Sequence, residues 1–218
     1  DAVDHGLGRT VLHGLAVGRG APQLNAAVVI LVRQQRRHAG RQAVQQLAPV
    51  GAPAADLDGV QRTPQLGDVD GNIAKIRQGR AEAKAQGADL VVYGELNVCG
   101  YPPEDLVLKP SFQAACEAAV NKLAAETADG GPALLVGSPW RENGKLHNAA
   151  ILLDQGQVAA TRYKCDLPNY GVFDEKRVFV PGPMPGPVNL RGVRLGLPIC
   201  EDIWGEEIVE CLAETGAE

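Results

Sequence analysis

The 218 residues predict an α/β (α+β) fold, with helices covering one face of a sheet, on three observations. From residue 66 onward, helical and extended patterns run in the order helix, strand, helix and then successive strands. The extended runs ADLVVYGEL and PALLVGSP are continuously apolar, as strands buried on both faces are. Turn signals at Asp154 to Gly156 and at Arg191-Gly192 separate the later runs into hairpins. A composition that is 45% hydrophobic and 22% charged places the chain among globular proteins.

Each element has a local reason. Over IAKIRQGRAEAKAQ, strong helix formers follow Asp70 and Asn72, either of which can cap the helix, and Gly87 sits where a C′ glycine would close it. ADLVVYGEL then reads as a buried strand. Pro102 and Pro103 break the chain into a loop. Ser111 is placed to cap a second helix whose Phe112, Cys116, Val120 and Leu123 share one face, which makes Cys116 a core residue. PALLVGSP, LHNAAILLD and GQVAATRYK follow as strands, and VNLRGVRLGLPIC as a further hairpin. No internal repeat is present.

Residues 1–65 differ from the rest. Residues 1–60 contain no Lys, Glu, Phe, Tyr, Trp, Cys or Met, yet hold His5, His13 and His38 of the four histidines. Two explanations compete: a disordered or accessory segment, or a stretch outside the natural reading frame of a GC-rich gene. The absence of two of the commonest residue types favours the second. Domain-like text therefore runs over residues 66–218.

Several function classes are excluded. The net charge of −5, with only the short RQQRRHAGR as a basic run, recommends no nucleic-acid partner. The longest apolar run, Ala26 to Val32, falls far short of the ~20 residues of a membrane span, and no leader pattern opens the chain, so a cytoplasmic location is expected. Five cysteines, an odd count without C-x-x-C spacing, argue against a disulfide framework and a zinc site. Free thiols are expected, one of them reactive.

Three strand ends carry an ionisable group: Glu95 after VVYG, Lys164 after VAATRY and Cys200 after RLGLPI. Strands fix the backbone while such side chains emerge at the sheet edge, so together these supply a base, a cation and a nucleophile. His147 is the one histidine beyond residue 65, which leaves a His-dependent thiol mechanism or a His-rich metal centre almost nothing to use. Cys99, Cys165 and Cys211 read as spectators, Cys165 because neighbours in a strand point to opposite faces.

The segments GELNVCGYPPEDL, RYKCDLPNYGVFDEKRVF and GLPICEDIW resemble, in order and spacing, the three signature regions of the nitrilase (carbon-nitrogen hydrolase) superfamily. More narrowly, they are similar to the glutaminase domains of glutamine-dependent NAD synthetases. The resemblance covers about residues 66–218 and implies an α-β-β-α sandwich with Glu95, Lys164 and Cys200 as a catalytic triad. It further implies Glu175 as a supporting carboxylate and Tyr170, Glu201 and Tyr101 around a glutamine substrate. No metal site and no cofactor are implied for this chain. ATP, Mg and deamido-NAD belong, on the resemblance, to a synthetase domain outside it, and the full-length protein is implied to be a homo-oligomer. A stand-alone amidase or nitrilase of the same superfamily, or a non-catalytic remnant, is the alternative.

Three departures from the family pattern stand out. DLDGVQRTPQL, where an apolar first strand is expected, is polar and broken by Pro64. Gly94 takes the place of a proline before Glu95. The chain stops at AETGAE, before the remaining strands of the sandwich, so a partial fold is expected that is poorly soluble and inactive on its own.

Overall fold

The computed structural model describes residues 30–32 and 63–218. The expectations placed on the remainder of residues 1–62 lie outside the described residues. Helix α1 (Val69–Ala85) starts at Asp68, whose carboxylate accepts the Gly71 N–H at 2.9 Å. Asp70 and Asn72, the expected caps, lie inside the first turn. Asn72 instead bonds the preceding loop, accepting from Gln65 N at 2.7 Å and donating to Gln65 O at 2.8 Å. Gly87 closes the helix in the left-handed conformation, with φ +71°. Helix α2 (Pro110–Glu126) begins one residue before the expected Ser111 cap. Proline at the first helical position has no N–H to satisfy, so the cap is dispensable there.

The main sheet has the order β1-β2-β3-β4-β5, from β1 (Ile30–Val32), β2 (Leu90–Val92), β3 (Ala133–Glu142), β4 (Lys145–Asp154) and β5 (Gln157–Tyr163). Strand β2 runs parallel to β3, and β3, β4 and β5 are successively antiparallel. The directions of β2, β3 and β5 therefore agree, and the carboxyl ends of β2 and β5 emerge at the same end of the sheet. β1 pairs antiparallel with β2, Ile30 opposite Val92. Ile30–Val32 thus supply an edge strand beside β2, and the polar DLDGVQRTPQL does not continue into one at its described residues 63–66.

Period-two alternation divides the core into two layers. Leu134, Val136, Ile151 and Leu153 face the helices, where Ile76, Ala83, Cys116, Val120 and Leu123 meet them. Ala133, Leu135 and Leu152 point the other way, against Val188, Leu190, Leu195 and Leu197. These last residues belong to the hairpin of β6 (Val188–Leu190) and β7 (Val193–Leu195) and its continuation. The second face of the sheet is therefore covered by two further strands, not left bare. A short α3 (Glu175–Val178) follows the loop after β5, and α4 (Glu206–Glu214) packs on the outside of the hairpin, where a Cβ on Gly196 would lie 3.4 Å from Leu212. The order of layers is helix, sheet, hairpin, helix, a partial nitrilase-type sandwich.

One glycine positions the loop after β2. A Cβ on Gly137 would stand 2.3 Å from Leu96 N and 2.6 Å from Gly94 O, so only glycine lets the backbone carrying Glu95 lie on β3. The contact is backbone on backbone and cannot give way by a rotamer change. Gly137→Ala is expected to destabilise the fold by about 1–3 kcal/mol in urea titration. Gly186→Ala, where a Cβ meets nothing within 4 Å, is the control and should stay within about 0.5 kcal/mol.

Candidate active site

The common end of β2 and β5 brings the predicted base and cation together. Lys164 follows β5 and continues its ladder, its N–H donating to Asn148 O on β4 at 2.8 Å. Its side chain is completely buried, and its Nζ donates to Glu95 Oε1 at 2.6 Å and to Glu175 Oε1 and Oε2 at 2.9 and 3.1 Å. A lone buried ammonium would shed its proton. Burial does pull the Lys164 pKa down, but the charges of Glu95 and then Glu175 outweigh it, and the net shift is upward. The lysine is a fixed cation.

Two carboxylates facing one cation leave an excess negative charge. Burial first, and the Glu175 charge with it, raise the Glu95 pKa against the opposing pull of Lys164. Asn148 donates its Nδ2 to Glu95 Oε1 at 2.7 Å and to Glu175 Oε2 at 3.3 Å. Tyr101 donates its hydroxyl to Glu175 Oε1 at 2.9 Å. Burial, then the Glu175 and Glu95 charges, push that phenol well up, so it stays a donor.

Cys200 completes the group from the hairpin layer. It opens a helical turn, Cys200–Ile203, with φ +48°, a left-handed conformation that costs a non-glycine residue about 1–3 kcal/mol. Asp202 holds the turn: its Oδ2 accepts from Ile199 N at 3.0 Å, and its Oδ1 accepts from Cys165 N and Asp166 N at 2.9 and 2.8 Å. One buried carboxylate thereby ties the turn bearing Cys200 to the backbone immediately after Lys164. Cys200 is exposed as a residue, and its half-buried thiol lies close enough to Glu95 to feel that carboxylate. Desolvation, then the Glu95 charge, pushes it up to about 12 despite the opposing Lys164, so it is a thiol and not a thiolate at neutral pH. Its accessibility separates it from Cys116, pushed up to about 12 by burial inside the core.

Beyond the thiol, Tyr170 donates its hydroxyl to Glu201 Oε1 and Oε2 at 2.9 and 3.1 Å. Both border a cleft of about 830 Å³, together with Asn169, Lys176 and Trp204. A smaller, mostly apolar cavity of about 300 Å³ between the sheet and the hairpin reaches Glu95 and Cys200. The consecutive residues Cys200 and Glu201 thus line different cavities. Tyr101 lines neither; it belongs to the charged ring through Glu175, and Phe173 stands between Tyr101 and Tyr170, with ring centroids 6.4 and 5.5 Å from theirs.

The other ionisable residues are occupied elsewhere. Cys165 turns its sulfur to Pro183 O at 3.1 Å, away from Lys164. His147 bonds Val180 O through Nδ1 at 2.8 Å and stacks on Tyr163. Sequence reasoning missed Asn148 and the cross-link made by Asp202. A signal for Asn148 existed: it is a lone amide in the apolar strand LHNAAILLD. Among the described residues no group of three or more His, Cys, Asp or Glu side chains is arranged to hold a metal, and no helix is long and apolar enough to cross a membrane.

A thiol on a strained turn thus stands near a carboxylate that a buried ammonium holds, at the end of a partial α/β sandwich. Residues 48–218 match the carbon-nitrogen hydrolase family, and the chain belongs to it. It is 41% identical over 158 residues to the glutamine-dependent NAD(+) synthetase of Rhodobacter capsulatus, which covers 72% of this chain and 28% of that protein. The corresponding protein of Thermotoga maritima is 40% identical over 144 residues, 66% of this chain and 25% of its own. The chain thus spans little more than a quarter of the curated relatives it matches. Among solved structures, the glutamine-dependent NAD+ synthetase of Acinetobacter baumannii in complex with ADP superposes with a TM-score of 0.67 at 35% identity, over 71% of this chain and 29% of that one. A mutant amidase from Nesterenkonia sp. AN1, carrying acrylamide added at its active-site cysteine, gives 0.61 at 31%, over 72% and 61%.

Replacing Lys164 by Met should leave two buried carboxylates facing each other, at a cost of about 3–5 kcal/mol near pH 7. Glu95, already raised by burial, would lose the opposing pull of Lys164, so folding takes up a proton. The deficit should be small at about pH 4 and grow as pH rises through the raised Glu95 pKa. Urea titrations at the two pH values check this; an equal deficit at both contradicts it.

Proposed function

We propose that this chain is the glutamine-hydrolysing part of a glutamine-dependent NAD synthetase and releases ammonia through a Cys200 thioester. The observation that carries the reading is the Glu95 carboxylate, held by the Lys164 ammonium at 2.6 Å and lining one cavity with Cys200. A thiol that stays protonated near neutral pH needs a base at the moment of attack, and Glu95, with its raised pKa, is matched to that task.

Glu95 takes the thiol proton as the sulfur attacks the side-chain amide carbon. The carbonyl π electrons move to oxygen, and Lys164 with the Glu201 N–H stabilises the oxyanion; a donor of this kind is typically worth about 3–4 kcal/mol. Collapse of the tetrahedral intermediate breaks the C–N bond, and Glu95 returns its proton to the departing nitrogen as ammonia. Water, deprotonated by Glu95 and oriented with Glu175, then cleaves the thioester to glutamate and the free thiol. Tyr170 and Glu201 on the larger cleft suit the α-ammonium of the substrate.

In the whole protein the ammonia would serve ATP-dependent conversion of deamido-NAD to NAD, in a soluble cytoplasmic homo-oligomer. The described residues offer no fitting cluster for Mg. A stand-alone amidase is the second reading, favoured by the Nesterenkonia neighbour, of which this chain covers 61%.

The test is labelling with 6-diazo-5-oxo-L-norleucine, an electrophilic glutamine mimic, followed by peptide mass spectrometry. Selective modification of Cys200, suppressed by excess glutamine and slowed by about 100-fold or more in Glu95→Gln, is expected. Equal reaction at all five thiols would point to the non-catalytic remnant, and selective labelling that excess propionamide but not glutamine suppresses would point to the amidase.

A further inference from the structure

Asn148 occupies an unusual position in β4. It is 1% exposed, and its single Nδ2 donates to both carboxylates of the ring, Glu95 at 2.7 Å and Glu175 at 3.3 Å. Its Oδ1 is buried without a hydrogen-bond partner. An orphaned buried acceptor is unfavourable, a penalty that a residue serving only to fill space would avoid as Leu. Rotating the amide by half a turn would aim Oδ1 at two carboxylates, so their charge fixes the orientation. The backbone of the same residue accepts the Lys164 N–H at 2.8 Å. One strand position thus touches every charged member of the ring.

We infer that Asn148 is a positioning residue for the thiol chemistry: its shared amide nitrogen keeps Glu95 and Glu175 apart and aims Glu95 at Cys200. The other charged or titratable groups facing Glu95 are Lys164 from the end of β5, Glu175 from α3 and Cys200 from the hairpin layer, with Tyr101 behind Glu175. Asn148 is the one uncharged donor in that ring that reaches both carboxylates. Its bond favours the ionised form of Glu95, opposing the upward push of burial. Removing it should therefore leave Glu95 protonated to a higher pH, and a protonated Glu95 cannot accept the thiol proton.

The inference rests on the proposed base role of Glu95 but not on glutamine as substrate, and a small electrophile separates the two. Alkylation of Cys200 by iodoacetamide is followed across pH in the full 218-residue chain, by mass spectrometry of the Cys200 peptide. Asn148→Leu, close in volume and without a donor, should slow the reaction near pH 7 by at least ~10-fold and move its rising limb upward by about one to two pH units, the size of a lost charge-assisted hydrogen bond. Asn148→Ser, with one proton to donate and space for water, should move it less and serves if the Leu variant does not fold. In a Glu95→Gln background the substitution should produce no further shift. A folded variant whose rising limb is unmoved, or one that shifts equally without Glu95, overturns the inference. Failure of the glutamine mimic to label Cys200, with the Asn148 shift intact, would count against the substrate alone.

Discussion

The buried ammonium of Lys164 is the interaction on which the rest of this structure depends. An uncompensated charge in the interior costs several kcal/mol, and Lys164 meets that cost with three contacts to two carboxylates, all within 3.1 Å. The carboxylates come from distant parts of the chain, Glu95 from the loop after β2 and Glu175 from the start of α3, so the cation pins two loops to one strand end. The ring does not favour a thiolate: burial and the Glu95 charge push the Cys200 thiol up, and burial raises Glu95. On the proposed reading, proton transfer waits for a substrate carbonyl that accepts the sulfur.

The layers exist to deliver these groups to one point. Parallel β2, β3 and β5 bring Glu95 and Lys164 to the same end of the sheet, whereas Cys200 arrives from the hairpin on the opposite face. Nothing in the main ladder fixes that second arrival. Asp202 does, by accepting backbone N–H groups from Ile199 on one side and from Cys165 and Asp166 on the other. Gly137 plays the matching part for Glu95, since its missing Cβ lets the loop that carries Glu95 rest on β3.

Much of this was legible in the sequence, and the remainder has physical reasons. Strands, helices and the Arg191-Gly192 turn follow from periodicity and turn chemistry, which are local. Glu95, Lys164 and Cys200 could be named because each ends an apolar run and sits in a motif. Helix starts shifted by a residue or more because several capping residues compete in GDVDGN and because Pro110 removes the need for a cap. Asn148 showed only as a lone amide in an apolar strand, because its partners are two carboxylates 53 and 27 positions away along the chain. Tyr101, expected around the substrate, bonds Glu175, a contact that only side-chain direction reveals. The edge strand Ile30–Val32 came from a stretch whose composition argued against ordered structure, because three β-branched or aliphatic residues suffice once β2 offers an unpaired edge.

The central claim, that the ring holds a protonated thiol beside a poised base, is tested most directly by the ultraviolet absorbance of the thiolate. The difference spectrum between this chain and its Cys200→Ser variant isolates one sulfur among the five. Titrated from neutral to strongly alkaline pH, it should show no thiolate at neutrality, with absorbance growing only as pH approaches about 12. A full thiolate signal already present at pH 7 would mean a preformed ion pair with Lys164 and would contradict the account.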